Sequence, residues 1–402
     1  MEKVVKLAFV GLGGYAEQYL KDLLSDEKRD KDVELCAGID PFPEKCLHLE
    51  ELKKRGMPLF RDIDEYLAGD AMADLVVASS PIQFHGIHMC RSMENGCNVL
   101  CEKPLCATVS EADRIIETRD RSRKFAAVGY QWSYSEAIQE LKNDIQSGLL
   151  GKPLRFRTLG LWPRTEVYYG RNAWAGKLKD GEGRWVLDSP VNNALAHYLH
   201  NMFFVLGESF DSSAEPETVC GELYRVKPLE NFDSAGLRVF TGGGVELLFY
   251  VTHACREMKG PVIIYEFKNA VVTADGPSSD FKAVFRDGTE KVYGNPSRPL
   301  MKKMWDCIKS VRTGEPVACP PEAAKPHTVT VNALYKSFPR ILDVPSSLTK
   351  SKGEEGEKLV YSEEMEEALV KSFEQGCLPS ELGIEWCRPG NTVDVREYDS
   401  FE

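Results

Sequence analysis

The chain has 402 residues, of which 43% are hydrophobic and 28% charged, the composition of a globular protein long enough for two domains. Its formal net charge is −12 at pH 7, because 62 acidic side chains outnumber 50 basic ones. A surface of this charge repels nucleic-acid phosphates and anionic lipids, so we expect neither nucleic acid nor a membrane as a partner.

The start of the chain shows no targeting pattern: residues 1–4 lead directly into a predicted strand. No apolar run reaches the roughly 18 residues of a transmembrane helix. The twelve cysteines are scattered without a CxxC pair, which is typical of reduced thiols rather than of disulfides or a zinc site. We therefore expect a cytoplasmic protein without a bound metal.

The first 128 residues alternate between short apolar runs and helical patterns. The runs, which predict strands buried on both faces, are residues 6–10, 33–39, 75–80, 98–101 and 125–128. Helical patterns lie between them, as at residues 15–24 and 82–95. This alternation predicts an α/β Rossmann domain, a doubly wound parallel sheet, over residues 1–128.

From residue 129 to residue 345 the pattern changes to strands separated by turns. The predicted strands are residues 154–161, 218–226, 236–240, 245–252, 262–267, 270–274 and 282–286. The predicted helices are residues 190–206, 299–313 and 321–342. This segregation predicts an α+β domain with a mostly antiparallel sheet. Residues 346–402 are a C-terminal extension, in which a surface loop at 346–358 precedes a helix at 362–375.

A glycine-rich turn follows the first predicted strand directly. Its sequence, Gly11-Leu12-Gly13-Gly14-Tyr15-Ala16, opens a helical pattern and matches the dinucleotide-binding fingerprint with alanine as the third small residue. The first glycine makes the tight turn, the second lets the backbone approach a pyrophosphate, and the helix N-terminus faces its negative charge. We predict that this turn binds a dinucleotide; a purely structural turn is the alternative. The predicted contacts are Gly11, Gly13, Gly14, Tyr15 and Ala16.

Asp40 ends the second predicted strand. An acidic side chain in this place accepts hydrogen bonds from the ribose hydroxyls and repels a 2′-phosphate, which favours NAD over NADP. Because Pro41 and Pro43 follow, a turn cap is the alternative role for Asp40.

Two segments then resemble a known family. Residues 79–85, Ser-Ser-Pro-Ile-Gln-Phe-His, follow the third predicted strand, and residues 96–105 contain the triplet Glu102-Lys103-Pro104. With residues 305–315, they resemble the glucose–fructose oxidoreductase/inositol dehydrogenase/rhizopine-catabolism (Gfo/Idh/MocA) family. The resemblance covers roughly residues 4–345 and does not extend to the C-terminal extension.

The resemblance implies a Rossmann domain followed by an α+β domain with an open, mostly antiparallel sheet, through whose face subunits join as a homodimer or homotetramer. It also implies that Lys103 lies beside the nicotinamide and the reacting oxygen, where a lysine polarises a carbonyl or shares an alcohol proton. The alternative is an ordinary surface lysine. The other predicted cofactor contacts near these motifs are Ser79, Ser80, Pro81, His85, Glu102 and Gln131.

A second set of candidate catalytic residues opens the long predicted helix, with Asp188 or Ser189 as its cap. The resemblance implies an acidic residue and a histidine four residues apart here, the histidine being the general acid/base. These places fall on Asn193 and His197. The asparagine departs from the family pattern, because an amide orients a substrate but supplies no negative charge. Asp188 is the candidate to supply that charge, and a core histidine is the alternative for His197.

Aromatic and polar side chains are candidates for binding substrate. Aromatic rings stack on the apolar faces of sugar rings, while guanidinium and amide groups bind hydroxyls or carboxylates. The predicted substrate contacts are Trp132, Tyr169, Arg171, Trp174, Asp188 and His200. Further candidates are Trp162, Arg164 and Trp185, with His253 and Arg256 as weaker ones. Packing within an ordinary loop is the alternative for each.

Three functions are consistent with these features. The leading hypothesis is an NAD(H)-dependent oxidoreductase that transfers a hydride to or from a secondary alcohol carbon of a sugar, cyclitol or glycoside. The second is NAD-dependent glycoside cleavage by transient oxidation and elimination, which some members of the family perform. The third, from another class, is a non-catalytic dinucleotide-binding sensor or scaffold, which the asparagine at position 193 favours and the presence of Lys103 and His197 disfavours.

Overall fold

The structure is a computed structural model that describes residues 3–25, 33–69, 72–396, 398 and 401, so Met1 and Glu2 of the predicted first domain lie outside it. The chain divides into two compact units. The N-terminal unit comprises residues 1–106, 110–135 and 298–325, and the C-terminal unit comprises residues 107–109, 136–297 and 326–402. Both units are discontinuous in sequence, whereas the predicted domains are continuous segments.

A six-stranded parallel sheet forms the centre of the N-terminal unit. Its strands are β1 (Val5–Val10), β2 (Val33–Ile39), β3 (Leu59–Phe60), β4 (Leu75–Ala78), β5 (Asn98–Cys101) and β6 (Ala126–Val128). The strand order is β3-β2-β1-β4-β5-β6. The chain first adds strands on one side of β1 and then on the other, as in a doubly wound dinucleotide-binding fold. The Rossmann prediction is therefore confirmed; β3, with two residues, is too short for the sequence pattern to reveal.

Helices connect these parallel strands. They are α1 (Ala16–Leu24), α2 (Leu49–Lys54), α3 (Ile63–Leu67), α4 (His85–Glu94) and α5 (Val109–Ser122). The helix predicted at residues 82–95 starts with a 3-10 turn at Ile82–Phe84 before α4 begins. Each connection returns the chain to the same edge of the sheet, so the residues after β1 and β4 lie close together.

The C-terminal unit contains a large mixed sheet. Its strands are β7 (Pro153–Leu161), β8 (Pro216–Arg225), β9 (Ser234–Thr241), β10 (Glu246–Thr252), β11 (Lys259–Phe267), β12 (Ala270–Asp275), β13 (Phe281–Phe285), β14 (Glu290–Gly294) and β15 (Leu342–Asp343), with β18 (Val393–Asp394) beside β8. A separate hairpin consists of β16 (Lys350–Lys352) and β17 (Leu359–Tyr361). Two pairs, β7 with β10 and β8 with β15, are parallel and the others antiparallel, which confirms the predicted α+β class.

The remaining helices are α6 (Glu136–Gln146), α7 (Glu166–Gly170), α8 (Ala196–Phe204), α9 (Lys302–Thr313), α10 (Pro321–Ser337) and α11 (Glu363–Gln375). The single helix predicted at residues 190–206 is wrong in one respect. A π-helical turn at Pro190–Ala194 comes first, closed by a 2.9 Å hydrogen bond from Leu195 N to Pro190 O, and α8 starts after it. Within the described part of the chain, no helix is long and apolar enough to cross a membrane, and no disulfide joins two cysteines.

The C-terminal extension builds part of the core of its unit. The apolar side chains of α11, among them Met365, Leu369 and Phe373, pack in one buried cluster with Leu159 of β7 and Tyr250 of β10. The predicted surface loop at 346–358 includes β16, which pairs with β17. The extension therefore covers the centre of one face of the large sheet.

Candidate functional site

The glycine turn between β1 and α1 has open space on its outer side. Gly11 has a φ of +84°, and a Cβ on it would lie 3.1 Å from the carbonyl carbon of Ser79, so a larger residue is strained there. A Cβ on Gly13 would meet its nearest neighbour, the carbonyl oxygen of Lys45, at 4.0 Å, and one on Gly14 would meet nothing within 4 Å. No side chain caps the first turn of α1. Amide groups that face open space at a helix N-terminus fit a pyrophosphate.

The carboxylate of Asp40 holds this turn together. Its two oxygens accept hydrogen bonds of 2.8 Å from the backbone amides of Leu12 and Phe42. The turn cap, which was the alternative role, is therefore present. Each carboxylate oxygen has a second lone pair, so Asp40 retains the capacity to accept from ribose hydroxyls.

The residues that follow β4 lie at the same edge of the parallel sheet as the glycine turn. The hydroxyl of Ser79 is buried and has no hydrogen-bond partner among the described residues, which fits a site for a polar ligand. Ser80 Oγ lies 2.8 Å from His88 Nδ1, and Pro81 precedes the 3-10 turn. With the open glycine turn, the Ser79 hydroxyl makes the residues present here compatible with a bound dinucleotide.

His85 takes a different place from the one we predicted. It is 1% exposed, and its Nδ1 and Nε2 lie 2.7 and 2.8 Å from the carbonyl oxygens of Pro104 and Ser80. Burial lowers the pKa of its imidazole. His85 is therefore a buried residue that links the loop after β4 to the loop after β5. This structural role replaces the predicted cofactor contact.

Glu102 is also a buried residue that forms hydrogen bonds within the N-terminal unit. It is 7% exposed, and its Oε1 accepts hydrogen bonds from Tyr19 Oη at 2.5 Å and from the Nζ of Lys303, a fully buried lysine of α9. Lys303 also donates to the carbonyl oxygen of Gly129 at 3.2 Å. A carboxylate occupied in this way supports the half-buried Lys103 next to it in sequence, and the cofactor contact of Glu102 stays a prediction.

Lys303 is not among the site residues predicted from the sequence, although the sequence contains a signal for it. Lys303 lies one helical turn before Cys307 and beside Met304, both buried, so the apolar periodicity of α9 places it on the inner face of the helix. A lysine on an apolar face needs an acidic partner, and Glu102 is that partner.

Two further predicted residues of the N-terminal unit lie near this ion pair or in the core. Tyr15 is partly exposed, donates a 3.2 Å hydrogen bond to Gln131 Oε1, and has its ring 4.5 Å from the Lys303 ammonium. Trp132 is 4% exposed, because the 3-10 turn at Gln131–Tyr134 directs its ring inward. The predicted substrate contact at Trp132 is therefore corrected to a core position.

In the C-terminal unit, the parallel pair β7 and β10 brings the ends of two distant segments together. Trp162 N donates to Thr252 O at 2.9 Å, and Arg164 N donates to His253 O at 3.1 Å. Because neighbouring parallel strands end at the same edge of a sheet, Trp162, Arg164 and His253 share one location.

The loop after β7 adds aromatic rings and a second arginine to this location. Tyr169 Oη lies 3.1 Å from His253 Nδ1. The guanidinium carbon of Arg171 lies 3.7 Å from the ring centre of Tyr168 and 5.2 Å from that of Trp174. The predicted substrate contacts Tyr169, Arg171 and Trp174 thus form one cluster with His253.

Asp188 connects the cluster to the segment that carries His197. Its Oδ1 accepts a 2.8 Å hydrogen bond from Asn193 Nδ2, its Oδ2 accepts one of 2.7 Å from Gly176 N, and Arg171 lies 3.6 Å away. Asn193 and the half-buried His197 flank Leu195, where the π-helical turn gives way to α8. A buried carboxylate therefore lies against the position where the family pattern has an acidic residue.

His200 belongs to the core. It is 1% exposed, its ring lies 5.6 Å from that of Phe204, and burial holds its pKa well below the ordinary value. The predicted substrate contact at His200 is corrected accordingly, because α8 turns this side chain inward. Trp185 and Arg256 contact the C-terminal extension instead: Trp185 packs on Phe401 at 5.0 Å, and Arg256 forms an ion pair with a glutamate of α11.

Alanine substitutions at two glycines separate folding from cofactor binding. We expect Gly11→Ala to lower the free energy of unfolding by about 1–3 kcal/mol, because its φ is positive and its Cβ meets backbone. Gly13→Ala has room, so it should fold normally while its methyl group weakens NADH binding. Urea unfolding and fluorescence titration with NADH measure the two effects. Wild-type NADH affinity in Gly13→Ala would contradict the placement of the pyrophosphate.

Comparison with known proteins gives the following similarities. Residues 5–130 match the family model GFO_IDH_MocA, described as an oxidoreductase family with an NAD-binding Rossmann fold. An inositol 2-dehydrogenase of Acidothermus cellulolyticus is 29% identical over 38% of this chain and 44% of its own length. A D-glucoside 3-dehydrogenase of Escherichia coli is 26% identical over 37% of this chain and 41% of its own length. These matches thus span less than half of either relative.

Similarity to a solved structure extends over more of the chain. The WlbA dehydrogenase from Chromobactrium violaceum, in complex with NADH and UDP-GlcNAcA, superposes with a TM-score of 0.69 at 19% identity. The superposition covers 90% of this chain and 97% of that one. At this level of identity the likeness establishes a shared fold.

Proposed function

We propose that the chain belongs to the Gfo/Idh/MocA family of NAD-binding oxidoreductases, whose family model matches residues 5–130. We further propose that it transfers a hydride between NAD(H) and a secondary alcohol carbon of a sugar, cyclitol or glycoside. One observation carries the proposal: the carboxylate of Asp188 accepts a 2.8 Å hydrogen bond from Asn193, in the segment that bears His197. A buried carboxylate here supplies the negative charge that an asparagine lacks and that favours a histidine as proton acceptor.

In the proposed reaction, different residues of the chain bind the cofactor, accept the proton and stabilise the developing charge. NAD, when bound, accepts or donates the hydride. The glycine turn, Ser79 and Asp40 hold this cofactor. His197 receives the proton of the substrate hydroxyl during oxidation, and the ammonium of Lys103 stabilises the same oxygen as negative charge develops on it.

We propose NAD rather than NADP as the cofactor. The carboxylate of Asp40 lies at the end of β2, where the ribose hydroxyls of a dinucleotide bind in this fold. A 2′-phosphate there would meet the negative charge of Asp40 without a paired cation. The two backbone hydrogen bonds that Asp40 accepts hold the carboxylate in this position.

A homodimer or homotetramer is part of the proposal. The side chains of Val271, Val284 and Val292 are exposed on β12, β13 and β14. Val271 and Val284 are paired across neighbouring strands, so they share a face. This apolar surface is available for a second copy, whereas α11 already covers β7 and β10.

Turnover of a polyol panel tests the proposed function. Purified protein mixed with NAD and a set of cyclitols, sugars and alkyl glycosides is expected to produce NADH, measured by its absorbance, and to use NADP less efficiently. NADH binding without turnover of any polyol would indicate a sensor or scaffold instead. Release of an aglycone with NAD in catalytic amounts would indicate glycoside cleavage by transient oxidation and elimination.

A further inference from the structure

The edge where β7 and β10 end carries more positive than negative charge. Three cationic side chains are gathered there: Arg164, Arg171 and Lys227, the last of which is 5% exposed. Two buried carboxylates, Asp188 and Asp233, face them. Within this set of five side chains the cations therefore outnumber the carboxylates by one.

Hydrogen bonds within the unit already occupy both carboxylates. Asp188 accepts from Asn193 and from a backbone amide, with Arg171 at 3.6 Å. Asp233 accepts from the hydroxyl of Ser234 at 2.8 Å and from the backbone amides of residues 226 and 227. Neither carboxylate is within ion-pair distance of Arg164.

Arg164 is the cation without an acidic partner: its Nη1 donates a 3.3 Å hydrogen bond to the carbonyl oxygen of Pro163. No acidic side chain of the described residues lies within 4.0 Å of its guanidinium, and its Nε is buried without a hydrogen-bond partner in that same part of the chain. The guanidinium carbon lies 4.9 Å from the ring centre of Tyr168 and 5.5 Å from that of Trp162. Cation–π contacts offset part of the cost of burial, but a half-buried charge still requires an anion.

His253 does not provide that anion and is itself incompletely satisfied. Burial, with the positive charges of Arg164, Lys227 and Arg171, holds the pKa of His253 well below its ordinary value, so the ring is neutral at pH 7. Its Nε2 is buried and lacks a hydrogen-bond partner among residues that the structure describes. Two buried nitrogens at this edge, Nε of Arg164 and Nε2 of His253, thus lack a hydrogen-bond partner among the described residues.

The edge adjoins the proposed proton acceptor from two sides. The ring of Trp162 meets that of Tyr198, the residue after His197, edge-on at 5.8 Å. On the other side, Asp188 holds Asn193, which precedes His197 by one turn. A ligand held at Arg164 therefore lies near the residue that receives the hydroxyl proton.

We propose that the substrate carries a carboxylate, which Arg164 binds with Arg171 beside it, so that the substrate class is the sugar acids; this inference rests on the proposed function. The planar guanidinium binds a carboxylate through two parallel hydrogen bonds. A singly charged carboxylate balances the one uncompensated cation. A phosphate dianion would leave excess negative charge beside Asp188, so phosphorylated sugars fit less well.

Matched substrates that differ in one group test the inference. Methyl β-D-glucuronide and methyl β-D-glucoside, and likewise D-galacturonate and D-galactose, differ in a carboxylate that replaces a hydroxymethyl group. We expect kcat/KM with NAD to be about 10–100-fold higher for the better acid than for its neutral counterpart, the range of a charge-assisted hydrogen bond. Calorimetric titration of methyl β-D-glucuronide and of the glucoside into NADH-saturated protein gives a second readout that needs no turnover.

Variants of Arg164 assign the preference to this side chain. Arg164→Met should bring the ratio of acid to neutral kcat/KM close to one, and Arg164→Lys, which keeps the charge but loses the planar fork, should give an intermediate ratio. The matched control is Arg184→Met, because Arg184 lies in the same connection between β7 and α8 but already pairs with Asp180 at 2.7 Å. Circular dichroism and thermal unfolding verify that each variant is folded.

The outcomes separate this inference from the proposed function. Equal use of acids and neutral sugars, an acid preference that persists in Arg164→Met, or tighter binding of glucose 6-phosphate than of the glucuronide would overturn the inference while the oxidoreductase stands. If no compound is oxidised but the glucuronide binds in an Arg164-dependent way, the carboxylate site stands and the proposed function fails.

Discussion

Replacement of Lys103 by methionine is expected to lower kcat by about 10²–10³-fold, the usual cost of removing one group that stabilises a developing negative charge. NADH affinity should change little, because we propose that the glycine turn and Asp40, and not Lys103, hold the cofactor. Lys103 is half-buried, and its backbone amide lies 3.3 Å from Oε2 of Glu102. Steady-state kinetics with the best substrate of the panel and fluorescence titration with NADH measure the two quantities.

The partner substitution His197→Ala should lower kcat by about 10²–10⁴-fold, the contribution typical of a general base. Imidazole added to this variant should restore part of the rate, which a purely structural loss would not show. Lys309→Met serves as a control, because Lys309 is exposed and pairs with Glu315 at 2.7 Å. Full turnover in Lys103→Met and His197→Ala would mean that neither residue has the proposed role.

The second large effect concerns stability. We expect Lys303→Met to lower the free energy of unfolding by about 3–5 kcal/mol, because it leaves the buried carboxylate of Glu102 without its cation. The double variant Glu102→Gln/Lys303→Met should recover most of that loss, since a neutral buried pair needs no compensating charge. Urea denaturation of the wild type and the three variants, with Glu102→Gln as the third, gives the coupling free energy.

A neighbouring lysine provides the matched control. Lys302 precedes Lys303 on α9 but lies at the surface, where it pairs with Asp306 at 2.7 Å. Lys302→Met should change stability by about 0.5 kcal/mol or less, as is usual for exposed helix pairs. If both lysine variants were equally stable, the Glu102–Lys303 pair would not support the loop that carries Lys103.

Local sequence patterns predicted five of the six strands of the N-terminal sheet. The apolar runs at residues 6–10 and 33–39 correspond to β1 and β2, and the glycine turn adopts the positive φ that its first glycine permits. Such features depend on residues adjacent in sequence, so a periodicity or a short motif reveals them. The helix at residues 190–206 was located in the same way, but its π-helical turn was not, because Ser189, Pro190 and Asn193 are equally compatible with an ordinary helix start.

The large sheet shows the limit of such patterns. Its strands were predicted, yet nothing in the sequence indicates that β7 and β10 are parallel neighbours. This pairing brings Trp162 and Arg164 to His253. It also explains why His253, a weak candidate by sequence, lies beside Tyr169, one of the predicted substrate contacts.

The sequence by itself determined the fold class, the resemblance to the Gfo/Idh/MocA family and the segments that carry Lys103 and His197, because these are encoded by neighbouring residues. Tertiary structure alone decided which polar side chains are buried: His85, Glu102 and His200 lie inside, with Lys303 as the unexpected partner of Glu102. The reason is physical, since the cost of burying a polar group depends on partners distant in the chain. A candidate site residue therefore has to be judged by the contacts that only the folded chain provides.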